Sequence, residues 1–183
     1  MAVVAALALF GVRINFTESL PRGFYLSAPV LPQDVRRGQL VTFCPHAEAV
    51  AAVAPYLLAG SACPGPDGPA SLLALAKMVV AVPGDTVTVD SAGVRVGSVA
   101  LARSAPLAYS RSGQPVTAAL GTHVLGPGEF WMHSSRVAYS LDSRYFGPVR
   151  DVRRVIRPVL VEGGPEIAPV QGSRPPGAFA VGQ

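Results

Sequence analysis

Glycine and proline interrupt this sequence at short intervals and limit the length of any helix or strand that it can form. The chain of 183 residues contains 19 glycines and 18 prolines, whereas aromatic residues make up only 7% of it. Both residue types are typical of turns, and proline also breaks helix interiors. Such a chain favours many short strands over a bundle of long helices. We therefore predict a mostly β protein, and the chain length suits one main domain.

The clearest strand pattern lies in residues 70–90. A long apolar strand is expected to run to Val82, where Pro-Gly-Asp turns the chain into a second strand. The sequence SAG (91–93) then predicts a hairpin turn. Residues 47–59 have a helix-forming composition and predict a short helical insertion, whereas CPGPDGP (63–69) and residues 98–120 are expected to be loops. Further short strands are predicted within 24–26, 36–43, 126–133 and 152–161.

A continuous apolar run fills residues 2–12 and ends at Arg13. A membrane-spanning helix needs about twenty such residues, so the run is too short to span by itself. It fits the end of an anchor that begins upstream, a segment in the membrane interface, or a core strand. We favour the anchor, and predict an anchor remnant at 1–13, a folded domain at 14–161 and a disordered tail rich in glycine and proline at 162–183.

The net charge of +4 comes from arginines that are spread along the chain. Nucleic-acid-binding proteins usually carry a basic stripe with interleaved aromatic residues, and no such stripe is visible. We therefore expect no nucleic-acid partner. A mild attraction to anionic lipid remains open beside ordinary solvated arginines.

Lys77 is the only lysine among the 15 lysine and arginine residues. An arginine guanidinium stays protonated in proteins, so it cannot replace a lysine that must lose its proton. The neighbours of Lys77 are apolar, and loss of hydration favours the neutral amine. Lys77 is therefore a candidate general base. The alternative is a lysine that extends from a sheet edge into water.

Ser19 lies in the segment NFTESLPRGFY (15–25), which suits a loop that displays a side chain. A serine needs an adjacent base to become a nucleophile. The rival base would be one of three histidines, His46, His123 and His133, but none lies in a known triad motif. His123 and His133 are expected to be ordinary turn or edge histidines.

The two cysteines, Cys44 and Cys63, lack the second ligand pair of a zinc site. In an oxidising compartment they could form a disulfide, and in the cytosol they would be buried thiols. No metal or organic cofactor is expected.

Four segments, in this order, resemble the signal peptidase I family of Ser/Lys endopeptidases over residues 10–160. They are Ser19 after the apolar run, RGQLVTF (37–43), the stretch from Lys77 to Asp85, and SLDSRYFG (140–147). The segment NFTESLPRGFY also resembles the opening of the TraF-type conjugative-transfer branch. Leu20, Gln39 and Met78 depart from the usual pattern of the family, and these changes leave the identity of the substrate open.

The resemblance implies an antiparallel β catalytic core of the signal peptidase type, with a small β excursion at about 84–128. It also implies a role for each site residue: Ser19 as nucleophile, Lys77 as general base, Thr17 as oxyanion donor, Ser140 as a hydrogen-bond partner that orients Lys77, and Asp142 as an organiser of its loop through Arg144.

The implied activity is removal of signal or leader peptides from exported precursors. The enzyme would be associated with the membrane lipid of the bacterial inner membrane, with its catalytic domain in the periplasm, where a Cys44–Cys63 disulfide is expected. For the TraF-type branch the implied substrate is a pilin precursor, which some members also cyclise. The alternatives are a general type I signal peptidase and a non-catalytic β-rich protein of envelope or conjugation assembly.

Overall fold

The computed structural model describes residues 11–46, 59–65, 68–72 and 74–163. Short strands dominate these ranges, together with one turn of 3-10 helix at Pro32–Asp34 and one short α-helix. The elements are β1 (Val12–Asn15), β2 (Gly23–Pro29), β3 (Leu40–Cys44), β4 (Ala59–Gly65), β5 (Gly68–Leu72), β6 (Leu75–Ala81), β7 (Thr86–Asp90), β8 (Gly93–Val96), β9 (Val99–Ala100), β10 (Gly121–Val124), β11 (Trp131–His133), α1 (Ser143–Phe146) and β12 (Asp151–Val161).

The largest sheet has six antiparallel strands in the order β1-β2-β12-β3-β6-β11. Strand β3 alternates its side chains between two cores, as expected for a central strand. Val41 and Phe43 enter one cluster with Val79 of β6, while Leu40 enters another with Tyr25 of β2. This sheet positions the site, because its edge strand β1 leads into the loop at 16–22 and β6 carries Lys77.

A second sheet has four strands in the order β10-β7-β8-β9 and corresponds to the predicted β excursion. Asp90 closes its first hairpin by accepting hydrogen bonds from the backbone N–H groups of Ala92 and Gly93 at 2.8 and 3.1 Å. Valines from β7 and β8 pack on the fully buried ring of Trp131, so a shared core joins the excursion to β11. Arg37 also donates to both carboxylate oxygens of Asp85 at 2.7 Å, which fixes the turn that enters the excursion.

A disulfide joins the two-stranded sheet of β4 and β5 to β3, because Cys63 of β4 is bonded to Cys44 at the end of β3, with the two Cα atoms 5.5 Å apart. The loop predicted at 63–69 is therefore wrong for residues 63–65, 68 and 69, which lie in β4 and β5, while residues 66 and 67 are outside the described ranges. The glycines and prolines of these strands are typical of turns, which is why the sequence did not indicate the pairing. The predicted helical insertion at 47–59 lies outside the described residues, except for Ala59, which begins β4.

The predicted fold class, mostly antiparallel β with a small β excursion, is confirmed. Residues 12 and 13, expected at the end of an anchor, lie in β1, while residues 1–10 are outside the described ranges. Of the tail predicted at 162–183, only residues 162 and 163 are described. Among the helices in the described parts of the chain, none has the length and apolar character needed to cross a membrane.

Candidate active site

Ser19 and Lys77 meet at the centre of the site, although 58 positions separate them in the sequence. Lys77 lies in β6, in register with Val41, and Ser19 lies in the turn that follows β1. The Nζ atom of Lys77 donates a hydrogen bond to the Oγ atom of Ser19 at 2.9 Å. The lysine side chain is buried, with only 5% of its surface exposed. The structure therefore brings together the two residues that the sequence proposed as base and nucleophile.

The environment of Lys77 favours its uncharged form. Burial lowers the pKa of Lys77 to about 8, because the ammonium loses its hydration. The charge of Asp142 raises the pKa of Lys77 and that of Arg144 lowers it, and both effects are smaller than the effect of burial. A substantial fraction of this amine is therefore neutral in mildly alkaline solution, as a general base requires.

The loop that carries Ser19, residues 16–22, is held by the side chain of Asn15. The amide NH2 group of Asn15 contacts three backbone carbonyls, those of Thr17, Leu20 and Pro21, at 3.0, 3.1 and 3.0 Å, so that its two protons are shared among three acceptors. Its amide oxygen accepts from the backbone N–H of Thr17 at 3.1 Å. We had assigned no role to Asn15 from the sequence. The available signal was an asparagine immediately before an irregular segment, because this side chain often caps such turns.

Thr17, the predicted oxyanion donor, lies with its Oγ1 atom 3.5 Å from the Oγ atom of Ser19. Its hydroxyl also donates to the Oδ1 atom of Asn15 at 2.7 Å. A hydroxyl carries a single proton, so Thr17 must rotate it away from Asn15 before it can donate to a substrate oxygen. The assigned role of Thr17 stays a prediction.

Asp142 lies at the centre of a fully buried polar cluster that supports the loop before α1. Arg144 Nε donates to its Oδ1 atom at 2.8 Å, and His133 Nδ1 lies 3.2 Å from its Oδ2 atom. Burial alone would raise the pKa of Asp142, but the hydrogen bond from His133 and the charge of Arg144 outweigh that effect and hold the pKa at about 2. Asp142 is therefore an anion over the whole physiological pH range.

His133 differs from the edge histidine that we expected. Its side chain is buried, its Nδ1 atom faces Asp142 and its Nε2 atom lies 3.1 Å from the carbonyl oxygen of Ala102. Although a histidine and an aspartate are paired here, the described hydrogen-bond partners of the Ser19 Oγ atom are Lys77 and Thr17. This geometry does not support a Ser-His-Asp arrangement around Ser19.

Ser140 does not make the hydrogen bond to Lys77 that we predicted. Its Oγ atom is buried and has no hydrogen-bond partner among the described residues. The backbone fixes this residue instead, because its N–H donates to Val137 and its carbonyl accepts from Arg144 at 2.8 Å. Another serine, Ser134, makes a contact that we had not predicted, since its Oγ atom donates to the carbonyl oxygen of Ser19 at 2.5 Å.

The described residues contain no group of three or more histidine, cysteine, aspartate or glutamate side chains arranged to hold a metal ion. The contact between Ser19 and Lys77 places a hydroxyl beside a buried amine. A serine activated by an adjacent base is the arrangement that nucleophilic catalysis requires.

A comparison with protein families matches most of this chain. The family model described as signal peptidase, peptidase S26, matches residues 1–157. This range contains both residues of the Ser19–Lys77 contact and the whole Asp142 cluster.

Several relatives are proteins of plasmid and conjugal transfer. A plasmid transfer protein TraF from Escherichia coli is 35% identical over 165 residues, covering 87% of this chain and 89% of the relative. A second TraF from the same species is 37% identical over 174 residues, covering 87% and 92%. The conjugal transfer protein TraF of Agrobacterium tumefaciens (strain 15955) is 35% identical over 164 residues, covering 87% and 88%.

Proposed function

This chain belongs to the signal peptidase family, peptidase S26, and to its TraF branch, and on that premise we propose that it is a serine endopeptidase with a Ser/Lys dyad. Ser19 is the nucleophile and Lys77 is the general base. One observation carries the proposal: the amine of Lys77 lies 2.9 Å from the hydroxyl of Ser19 in a buried position. A binding module has no need for a buried lysine beside a serine.

In the proposed mechanism, neutral Lys77 accepts the hydroxyl proton of Ser19 while the Oγ atom attacks the scissile carbonyl. The backbone N–H of Ser19 and the hydroxyl of Thr17 stabilise the resulting oxyanion, and loss of one such donor typically lowers the rate by about 10²–10³. The ammonium of Lys77 then returns the proton to the leaving amine, which leaves an acyl-enzyme on Ser19. Asp142 and Arg144 hold the loop that packs against this pair.

The acyl-enzyme can react with either of two nucleophiles. Attack by water releases a free carboxylate, and attack by an amine of the same precursor forms a new peptide bond and a cyclic product. The relatives are called plasmid transfer and conjugal transfer proteins, so we propose a precursor of a conjugation system, a pilin precursor in particular, as the substrate.

We further propose that the enzyme works at the bacterial inner membrane, with its catalytic domain on the periplasmic side. Two features support this location. The Cys44–Cys63 disulfide suits an oxidising compartment. The Ser19 loop and nearby strands also expose large apolar side chains, namely Phe16 of the loop, Phe24 of β2 and Leu160 of β12.

The test is processing of a candidate precursor by Ser19→Ala and Lys77→Arg variants. We expect both variants to fold and to lose at least 10³-fold in kcat/KM, because arginine cannot supply a neutral amine. Ser98→Ala, an exposed serine in the turn between β8 and β9, is the matched control and should keep full activity. Near-normal turnover by Lys77→Arg would refute the base assignment.

A non-catalytic assembly protein is the second candidate, and an acylating penem inhibitor separates it from an enzyme. The proposed peptidase should acquire a covalent adduct that mass spectrometry maps to Ser19, and the Lys77→Arg variant should acquire it much more slowly. An assembly protein would remain unmodified.

A further inference from the structure

A cavity of about 320 Å³ is formed in part by the Ser19 loop. Glu18 and Leu20, the two sequence neighbours of Ser19, line it, whereas Ser19 and Lys77 do not, so the cavity adjoins the nucleophile without containing it. The side chains that matter for its chemistry are Glu18, Leu20, Arg22, Arg136, Tyr139 and Glu162.

The walls of this cavity are fixed by hydrogen bonds. The loop at 134–140 is joined to the Ser19 loop through the Ser134 hydroxyl, which donates to the Ser19 carbonyl at 2.5 Å. Arg103 donates to the Arg136 carbonyl at 2.9 Å, and Arg144 donates to the Ala138 carbonyl at 2.9 Å. A preformed cavity of this kind binds a ligand with little cost in ordering.

The carboxylate of Glu18 is already satisfied within the protein. It accepts hydrogen bonds from the Tyr139 hydroxyl, from Arg111 at 2.6 Å and from Arg22 at 3.2 Å. Arg111 also lies over the Tyr139 ring, 5.0 Å from its centroid. Because two guanidinium groups and a hydroxyl surround this carboxylate, Glu18 has little capacity left to bind a positively charged ligand.

Arg136, in contrast, makes no ion pair with any residue in the described ranges. Its positive charge acts on the buried Tyr25, whose pKa is raised by burial and lowered by Arg136. Glu162, the second acid of the cavity, also makes no ion pair among the described residues, and its backbone N–H donates to the Arg22 carbonyl at 2.9 Å. The cavity and its rim thus hold three guanidinium groups (Arg22, Arg111 and Arg136) against two carboxylates, which leaves an excess of one positive charge.

We propose that this cavity is a substrate subsite that binds an acidic side chain of the precursor, within roughly three residues of the scissile bond. Arg136 is its main ligand and Arg22 assists, because planar guanidinium groups match the geometry of a carboxylate. A lysine of the substrate would meet the same excess of positive charge, which Glu162 offsets only in part. This inference rests on the proposed peptidase function and adds a preference for acidic residues to it.

The test uses peptides blocked at both ends that carry glutamate, glutamine or lysine at each of the three positions on either side of the scissile bond. At one of these positions we expect wild-type kcat/KM to be roughly fivefold higher for glutamate than for glutamine, as is typical of a partly exposed ion pair. The Arg136→Ala variant should lose this difference. The Arg136→Glu variant should reverse it, so that the lysine peptide becomes the best substrate.

Arg95→Glu provides the control, because Arg95 lies on β8 of the other sheet and pairs with Asp90. It should keep the wild-type preference for glutamate. If the wild-type enzyme cleaves all the peptides at equal rates, the subsite is refuted while the peptidase function stands. If neither the peptides nor the natural precursor is cleaved, the proposed function fails first, and penem labelling of Ser19 would fail with it.

Discussion

Burial determines the pKa of the Lys77 amine, and this pKa sets the pH range in which Lys77 can act as a base. Since the pKa of Lys77 is lowered to about 8, most of the amine is protonated at pH 6 and most is neutral at pH 10. The base must be neutral, so kcat/KM should rise about tenfold per pH unit at low pH and level off above about pH 8. A pH–rate profile measures this midpoint. A midpoint near 6.5, the ordinary range of histidine, would contradict a lysine base.

Asn15 is a positioning residue, because its side chain holds the backbone of the loop that carries the nucleophile. Asn15→Ala removes the contacts to three backbone carbonyls, and we expect kcat to fall about 100-fold with KM little changed, because small misplacements of reacting groups are costly. Asn15→Asp should be equally impaired, since it keeps the acceptor but loses the amide donors. Gln39→Ala, which removes a side-chain bond to another turn, is the matched control. Full activity in Asn15→Ala would show that the loop holds its shape unaided.

The sequence predicted the contact between Ser19 and Lys77, because the order of the motifs and a single retained lysine both indicated it. It did not predict the roles of Asn15, Ser134 or His133. The His133–Asp142 pair forms only because β11 and α1 pack together, and nothing near either residue in the sequence indicates that contact. Side-chain partners joined by tertiary packing are therefore the part of the site that sequence reasoning misses.

At the scale of elements, the disulfide links the end of β3 to the β4–β5 hairpin. Cys44 and Cys63 are 19 positions apart, and closing a loop of that length in the unfolded chain contributes about 3 kcal/mol to the free energy of unfolding. A Cys44→Ser, Cys63→Ser variant should lose about that amount, as measured by chemical denaturation. Wild-type protein under reducing conditions should match the variant. An unchanged denaturation midpoint would indicate that the hairpin is held by other contacts.

Turn chemistry explains which elements were predictable. The Pro-Gly-Asp turn and the hairpin after Asp90 carry strong local signals, so the excursion was predicted close to its observed bounds. The loop predicted at 98–120 is wrong for Val99 and Ala100, which form β9, because a two-residue strand has too little sequence to show a pattern. Strand β1 was not predicted, because it begins at the end of an apolar run that we interpreted as a membrane anchor. The β4–β5 hairpin was not predicted either, because its glycines and prolines are typical of loops.

At the scale of the whole molecule, the six-stranded sheet that carries Lys77 also exposes apolar side chains on the strands near the Ser19 loop. Ile14 of β1, Phe24 of β2 and Leu160 of β12 are neighbours in register, so their side chains lie on one face of the sheet. The other face of β2 buries Tyr25 in the core. Strands β1 and β2 flank the Ser19 loop directly, so a membrane that met this face would hold the active site close to its surface.

The proposed membrane contact can be measured with tryptophan probes, because the single native tryptophan, Trp131, is fully buried. Leu160 and Val124 are equally exposed, at 69% and 70%, but Val124 lies on β10 of the other sheet. On anionic vesicles, Leu160→Trp should show a blue-shifted emission and quenching by brominated lipid, because the indole leaves water for the acyl boundary. Val124→Trp should show neither change. Two results would contradict this contact: equal quenching of the two probes, or no quenching of Leu160→Trp when the protein sediments with the vesicles. Either result would mean that the membrane contacts another surface of the molecule.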